Sequence, residues 1–309
     1  MVLLAGLASL GVSYGLSQLA AHVPLALRGF VPETALQVFI FAYLLTFLDP
    51  SYKRSGYKSR YFQTLGMWKR VVDYFPGKIT VQEPLDHEKQ YIFAAFPHGA
   101  CTVQHVLTMT NGAGMLSSVH RGDRRDLAAS VLFLIPFVRE LLLLLGNVDA
   151  GKLTARHNLK ENRSLLIFVG GEAEQLLTEE GKHKVFLRKR KGFIKLALQF
   201  GTPLVPIYTF GENDMYSVSK FLFGFRNWLQ KYFHIGLPVV WGRWFSLCPY
   251  QVPLELCIGA PIPVEKHDRV NITDEKIDKL HSLFCEKLNE LFEANKARCG
   301  QPNAKLEIL

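Results

Sequence analysis

The sequence predicts an α/β protein, a mixed sheet flanked by helices, preceded by an N-terminal hydrophobic membrane hairpin. Short apolar runs closed by glycine or proline alternate with helical patterns from about Tyr91 onward. Two apolar segments stand close together before residue 50. The 309-residue chain is 49% apolar, with mean hydropathy +0.10, yet 36 Lys+Arg against 27 Asp+Glu give it a net charge of +9. A disordered chain would lack that apolar surface, and Gly 24 and Pro 15 follow no collagen-like period. Apolar excess with positive charge points to membrane insertion and a negatively charged partner. The boundaries follow: 1–50 is the membrane hairpin and 51–309 a cytosol-facing globular domain.

Met1 to Leu27 has no charged side chain apart from His22, and exceeds the roughly 20 residues that a bilayer core requires. A cleaved leader is the competing reading, but the first Lys or Arg is Arg28, so the basic start of a leader is missing. Thr34 to Leu48 is a second apolar run, short for a span and suited to a re-entrant or interfacial segment. The connector Arg28 to Glu33 contains Pro32, and the whole reads as a hairpin entering and leaving on one face. Lys53, Arg54, Lys58, Arg60, Lys69 and Arg70 follow, which marks the cytosolic side. Leu127 to Val148 is a third apolar run. Arg139 and Glu140 at its centre favour a helix buried in protein or lying among headgroups over a span.

Tyr91–Phe96 (YIFAAF) reads as a buried strand ending in Pro97-His98-Gly99. Ser164–Gly171 repeats the form, a strand and then a glycine turn. Lys191–Phe200 is a helix closed by Gly201, and Leu204–Phe210 is another strand. Leu254–Val264 is a strand running into a proline-bounded turn. Thr273 or Asp274 caps a last helix, on which Ile277, Leu280, Phe284, Leu288 and Leu291 form one stripe. Lys220 to Tyr250 is rich in Trp, Phe and Tyr, for which core packing is the commonest use and membrane-interface contact the other.

Cys101, Cys248, Cys257, Cys285 and Cys299 are odd in number with no C-x-x-C spacing, which predicts free thiols in a reducing compartment. His98, His105 and His120 suit no standard zinc spacing, and no metal is expected. G-x-S-x-G, P-loop, H-E-x-x-H and strand-borne G-x-G-x-x-G motifs are all missing, which argues against serine hydrolases, NTPases, zincins and dinucleotide enzymes. Chemistry tends to sit on loops just beyond strand ends. His98, in such a loop, is a candidate general base, since an imidazole can accept a hydroxyl proton near neutral pH. Glu172 and Glu174 follow the second strand, where either carboxylate could orient a histidine or simply start a helix. Gly170 and Gly171 let backbone N–H groups approach a substrate. The run Arg188-Lys189-Arg190-Lys191 suits a phosphate-bearing ligand, or a plain solvated face.

Taken in order, FLDPSYKRSGYKSRYFQTLGMWKRVVDYFPGKI, YIFAAFPHGA, IPFVRELLLLLG, LIFVGGEAEQLL, RKGFIKLALQFGTPLVPIYTFGEND and IGAPIPVEKHDRVNITDEKIDKLHSLFCEKLNELFE resemble the type-2 diacylglycerol acyltransferase family. That family also holds monoacylglycerol and wax-alcohol acyltransferases, and the resemblance runs from the second apolar segment to Lys296. It implies a glycerolipid-acyltransferase-like fold and acyl transfer from acyl-CoA to diacylglycerol or a related lipid alcohol. No cofactor, metal or nucleic acid is implied. The family's His-Pro-His-Gly is here Phe96-Pro97-His98-Gly99, so His98 alone can supply the base. A related Asp five residues on is here Val103, so no such relay exists. Glu174, in the Gly-Gly-x-x-Glu stretch, becomes the orienting carboxylate, with Glu172 as the alternative. Pro97, Gly99, Gly170 and Gly171 shape the substrate site, and Arg188, Arg190 and Lys191 meet the coenzyme A phosphates. The resemblance also implies the endoplasmic reticulum membrane or lipid droplets, with membrane lipids as partners, and homo-oligomers. The loss of the first histidine leaves a catalytically silent lipid-binding protein as the rival from another class.

Overall fold

A computed structural model describes residues 33–233 and 238–309. The chain divides into two units, Met1–Ser51 and Tyr52–Leu309. In the first, α1 (Glu33–Leu45) runs into a 3-10 turn over Thr46–Leu48. Thr34–Lys53 is 20 residues long and apolar enough to cross a membrane by length and composition. The second apolar segment therefore extends further than its Thr34–Leu48 apolar run alone suggests. The expected first arm, Met1–Leu27, and the connector through Pro32 lie outside the described residues.

The second unit holds helices α2 (Arg60–Gln63), α3 (Met67–Tyr74), α4 (His105–Met109), α5 (Val138–Leu144), α6 (Lys152–Lys160), α7 (Gly171–Leu177), α8 (Gly192–Phe200), α9 (Phe223–Phe233) and α10 (Asp274–Lys296). Its strands are β1 (Lys78–Val81), β2 (Ile92–Phe96), β3 (Arg124–Ala128), β4 (Asn147–Asp149), β5 (Ser164–Phe168), β6 (His183–Val185), β7 (Leu204–Phe210), β8 (Ser217–Ser219), β9 (Val239–Trp241), β10 (Glu255–Ile258) and β11 (Leu306–Ile308). Seven of them form one sheet in the order β1-β10-β7-β2-β5-β3-β4. All neighbours are parallel except β10 and β7, so the expected mixed α/β sheet is present.

The strands at its centre are buried along almost their whole length and mostly apolar, because both faces are covered. Ile92, Ala94 and Phe96 enter one core with Phe193, Ile194 and Phe284, whereas Phe93 and Ala95 enter the other with Leu107, Val205 and Ile207. Burying each large apolar side chain stabilises the fold by about 1.5–3 kcal/mol. The α10 stripe is buried as its spacing predicts, and the Thr273 hydroxyl caps the helix by accepting from the Lys276 N–H at 3.4 Å. Gly201 closes α8 at φ +67 and donates to the Ala197 carbonyl at 2.8 Å.

Two expectations need correction. Leu127–Val148 is neither a span nor one buried helix: it breaks into the end of β3, a 3-10 turn over Ser130–Leu134, α5 and the start of β4. Pro136 cannot continue a helix, and Arg139 is buried with its guanidinium 3.1 Å from Glu140. The aromatic segment is not mainly core, since Phe225, Trp228, Tyr232, Trp244 and Phe245 are exposed. A pairing beyond sequence reach joins β11 to β6, and the Leu309 carbonyl accepts the Leu187 and Arg188 N–H groups at 3.1 and 2.7 Å.

Candidate active site

The parallel neighbours β7, β2 and β5 end together, and the loops beyond their carboxyl ends are where an open α/β sheet places its ligands. β2 delivers Pro97-His98-Gly99, β5 delivers Gly170, Gly171, Glu172 and Glu174, and β7 delivers Gly211 and Glu212.

The His98 ring is partly buried, and its Nδ1 lies 3.1 Å from the Gly99 carbonyl and 3.2 Å from the Thr102 hydroxyl. A carbonyl oxygen only accepts, so Nδ1 holds the proton and Nε2 keeps its lone pair. Burial pushes the imidazole below its ordinary 6.5, against the Gly99 carbonyl and the charge of Glu172. His98 is thus neutral at physiological pH, as a general base must be. Its ring meets Phe168 edge-on at 5.9 Å, and His105 meets the same ring at 4.5 Å. Burial lowers His105 to about 3, so it stays neutral too.

Glu174 is buried, and it reaches His98 at the backbone rather than the ring. One oxygen accepts the His98 N–H and the other accepts the Phe186 N–H at 2.6 Å. Burial raises its carboxyl to about 7, opposed by those two donors and by Arg190. Glu174 therefore fixes where the histidine sits, not how its ring turns. Glu172 acts on the imidazole through its charge.

A third carboxylate, Glu212, holds the far end of the same loop. It accepts the Val103 N–H at 2.7 Å and the Gln104 N–H at 2.8 Å, and burial raises it to about 8. The Gln104 side chain in turn donates to the Pro97 carbonyl and accepts from the Thr209 hydroxyl at 2.5 Å. Gly99 lies against Glu212 at φ +66, and a Cβ there would come within 2.5 Å of the carboxylate. The site thus demands glycine for both conformation and space. Glu212 is a buried residue of this site that sequence reasoning missed. The strand-end rule that singles out His98 also points to it, because Gly211-Glu212 directly follow the strand Leu204–Phe210.

The two glycines after β5 differ. A Cβ on Gly170 would strike Glu174 at 2.2 Å, whereas Gly171, at φ +57, has nothing within 4 Å of that point and leaves its backbone open to approach. The basic run divides as well. Arg188 and Lys189 are exposed. Arg190 turns inward, donating to the Gly170 carbonyl at 3.1 Å with its guanidinium 5.3 Å from the Phe186 ring centre. Lys191 pairs with Asp278 on α10 at 2.5 Å. Arg190→Ala should therefore lower kcat by loosening the Gly170 loop, and Arg188→Ala should chiefly raise KM for a phosphate-bearing substrate. Steady-state kinetics of the two variants check this, and equal KM effects with unchanged kcat would contradict it.

Among the described residues, candidate metal ligands converge only at Glu255, Cys257 and Cys299. Arg298 fills that cluster, pairing with Glu255 and lying 3.7 Å from the Cys257 sulfur, so a guanidinium already supplies the positive charge. All five cysteines are free thiols.

His98 and the buried carboxyls that hold its loop thus stand together where an open α/β sheet places its ligands. Residues 29–309 match the family model described as Diacylglycerol acyltransferase, and the chain belongs to that acyltransferase family. It is 34% identical over 269 residues to human Diacylglycerol O-acyltransferase 2, covering 82% of this chain and 69% of that one. Against human 2-acylglycerol O-acyltransferase 3 it is 31% identical over 264 residues, covering 81% and 77%. Against human Acyl-CoA wax alcohol acyltransferase 1 the identity is 32% over 279 residues, covering 86% and 84%. Among solved structures, the 1-acyl-sn-glycerophosphate acyltransferase PlsC from Thermotoga maritima superposes with a TM-score of 0.46 at 19% identity, over 75% of this chain and 78% of that one.

Proposed function

We propose that this protein is a membrane-bound, acyl-CoA-dependent O-acyltransferase that forms triacylglycerol from diacylglycerol, with His98 as general base. The observation that carries the reading is the neutral imidazole whose Nδ1 is tied to the Gly99 carbonyl at the meeting of three strand ends. His98 Nε2 takes the proton of the acceptor hydroxyl while that oxygen attacks the thioester carbonyl carbon of acyl-CoA. The tetrahedral oxyanion is stabilised by backbone N–H groups near Gly99 or Gly170-Gly171. The carbon–sulfur bond then breaks, the ester is complete, and the proton on His98 passes to the leaving sulfur to give coenzyme A. This scheme uses no cofactor or metal. Arg188 and Lys189 meet the coenzyme A phosphates, while Lys191, though of the same run, is neutralised by Asp278.

Phe96 stands where the family's first histidine is expected, and its ring is wholly buried, 6.3 Å from Phe284 in the core beneath α10. A side chain there serves packing, which supports a working enzyme over a silent one. The basic residues after the apolar segment support a cytosolic face for the Tyr52–Leu309 unit on the endoplasmic reticulum membrane, where the N-terminal segments would form the hairpin.

The test is an acceptor panel. Membranes from cells lacking neutral-lipid synthesis but expressing this chain receive labelled oleoyl-CoA with diacylglycerol, monoacylglycerol or hexadecanol. Label chiefly in triacylglycerol is the expected result. Label chiefly in diacylglycerol or wax ester would keep acyl transfer and replace the acceptor. No ester from any acceptor, with the protein present, would refute the reading.

A further inference from the structure

From Met215 to Leu254 there is not one Asp or Glu, while Lys220, Arg226, Lys231 and Arg243 all fall in this stretch. The structure turns the large apolar residues of the stretch outward. On α9, Phe225, Trp228 and Tyr232 lie at i, i+3 and i+7, so they share one face. Their rings form a continuous exposed row, with centres 5.9 and 5.7 Å apart. Past β9 the chain makes a tight turn in which the Gly242 N–H donates to the Ser246 carbonyl at 2.7 Å. Its tip presents Trp244 at 75% and Phe245 at 90% exposure, followed by exposed Leu247, and the Arg243 guanidinium sits 4.5 Å over the Trp244 ring. A lone exposed Leu needs no explanation, but contiguous exposed aromatics edged by cations mark an interaction surface.

We propose that the aromatic face of α9 and the Trp244–Leu247 tip dock on a phospholipid bilayer surface, with the rings at the boundary between headgroups and acyl chains. Trp and Tyr prefer that depth because one end of each ring system is apolar and the other hydrogen-bonds. Of the cations in the stretch, Lys231 over the Tyr232 ring and Arg243 over the Trp244 ring stand beside the exposed aromatics and complement anionic headgroups, whereas Arg226 is buried and Lys220 lies 3.6 Å from Glu179. Phe223, at the start of α9, lies on the opposite side of the helix and lines a separate cavity of about 530 Å³ with Leu176 and Leu177. Those leucines end α7, whose first turn holds Glu172 and Glu174. The inference rests on the acyltransferase reading for its biological sense, but its readout does not.

The experiment uses the full chain in phosphatidylcholine vesicles containing some phosphatidylserine, with or without brominated acyl chains. Two single-tryptophan versions are compared, one keeping only Trp228 and one only Trp244, with the other tryptophans changed to Phe. Emission of each should fall at least about twofold with bromine, as expected for rings inserted at the headgroup boundary. Unchanged emission with free access to aqueous acrylamide overturns the proposal. So does burial against a second copy, seen as cross-linking through the tip without bromine quenching. A variant in the otherwise native chain guards against misfolding of the tryptophan-poor chains. Trp244→Ser with Phe245→Ser should lower turnover of long-chain diacylglycerol in vesicles at least about fivefold and spare a short-chain, water-dispersed diacylglycerol. Equal effects on both acceptors also overturn it. If no acyl transfer occurs at all, the acyltransferase reading fails while the quenching result still decides docking.

Discussion

His98→Ala should lower kcat by about 10²–10⁴-fold, the usual worth of a positioned general base, while the protein stays folded. The geometry makes this a clean test. Glu174 holds the His98 backbone N–H, which alanine retains, so the clamp on the loop survives the loss of the ring. What disappears is the imidazole, with its contacts to the Gly99 carbonyl and the Thr102 hydroxyl. His98→Gln offers a neutral polar group of similar reach without a base near neutral pH, and should be as inactive. Turnover with labelled acyl-CoA, alongside a thermal melt, checks both. Near-native turnover in a folded His98→Ala protein would remove the histidine from the chemistry.

Glu212→Ala should nearly abolish activity through a residue that donates nothing to the reaction. The substitution leaves the Gln104 N–H buried and unpaired, at about 1–3 kcal/mol, and takes the partner from the part-buried Val103 N–H. The loop bearing His98 then loses its far anchor, and a displacement of about 1 Å at a catalytic group can cost 10²-fold in rate. Glu212→Gln should fall between the two, since its amide accepts one N–H but turns its own NH₂ towards the other. The close approach of Gly99 gives a sharper check. Gly99→Ala puts a methyl group 2.5 Å from the Glu212 carboxylate at φ +66, so it should be severe in the native background. It should cost less when Glu212 is already alanine, because only the backbone strain remains, about 1–2 kcal/mol. Melting temperatures and kcat for the two single variants and the double variant measure that coupling. Strictly additive losses would show that the two residues do not act through one contact.

The parts of the fold legible in the sequence are those with a strong period and a local stop. β2, β5 and β7 announce themselves as apolar runs because both faces of the sheet are covered, and each ends in glycine or proline. The α10 stripe and its Thr273 cap are likewise local signals. β3 is not legible: RRDLA looks like surface, yet it is buried, and pairing makes that possible. Arg124 bonds Asp126 at 2.7 Å and Arg125 bonds Asp123 at 2.6 Å. Nor does any local signal join β11 to β6, which lie far apart in the chain.

The site shows the same division. His98 and Glu174 are visible because each follows a strand end. Their relation is not, because a carboxylate that binds a backbone N–H looks, in sequence, the same as one that binds a ring. Glu212 needs the third strand end to be read beside the first two, and its partners at 103 and 104 come from more than a hundred residues away in the chain. The aromatic segment misleads for a physical reason: Trp and Phe are usually buried, and only the lack of acidic residues around them separates a lipid-facing surface from a core.

The most direct measurement is the pH dependence of kcat/KM for the native chain with diacylglycerol and acyl-CoA. Burial lowers the imidazole, so its charged form is disfavoured and the base stays available until the pH falls below the ordinary histidine value of 6.5. The predicted profile is flat across neutral pH with an acid limb below 6.5, where protonation of Nε2 removes the base. An acid limb centred above 6.5, where burial raises the carboxyls of Glu174 and Glu212 rather than the lowered imidazole, would assign control of the rate to another group and contradict His98 as the base.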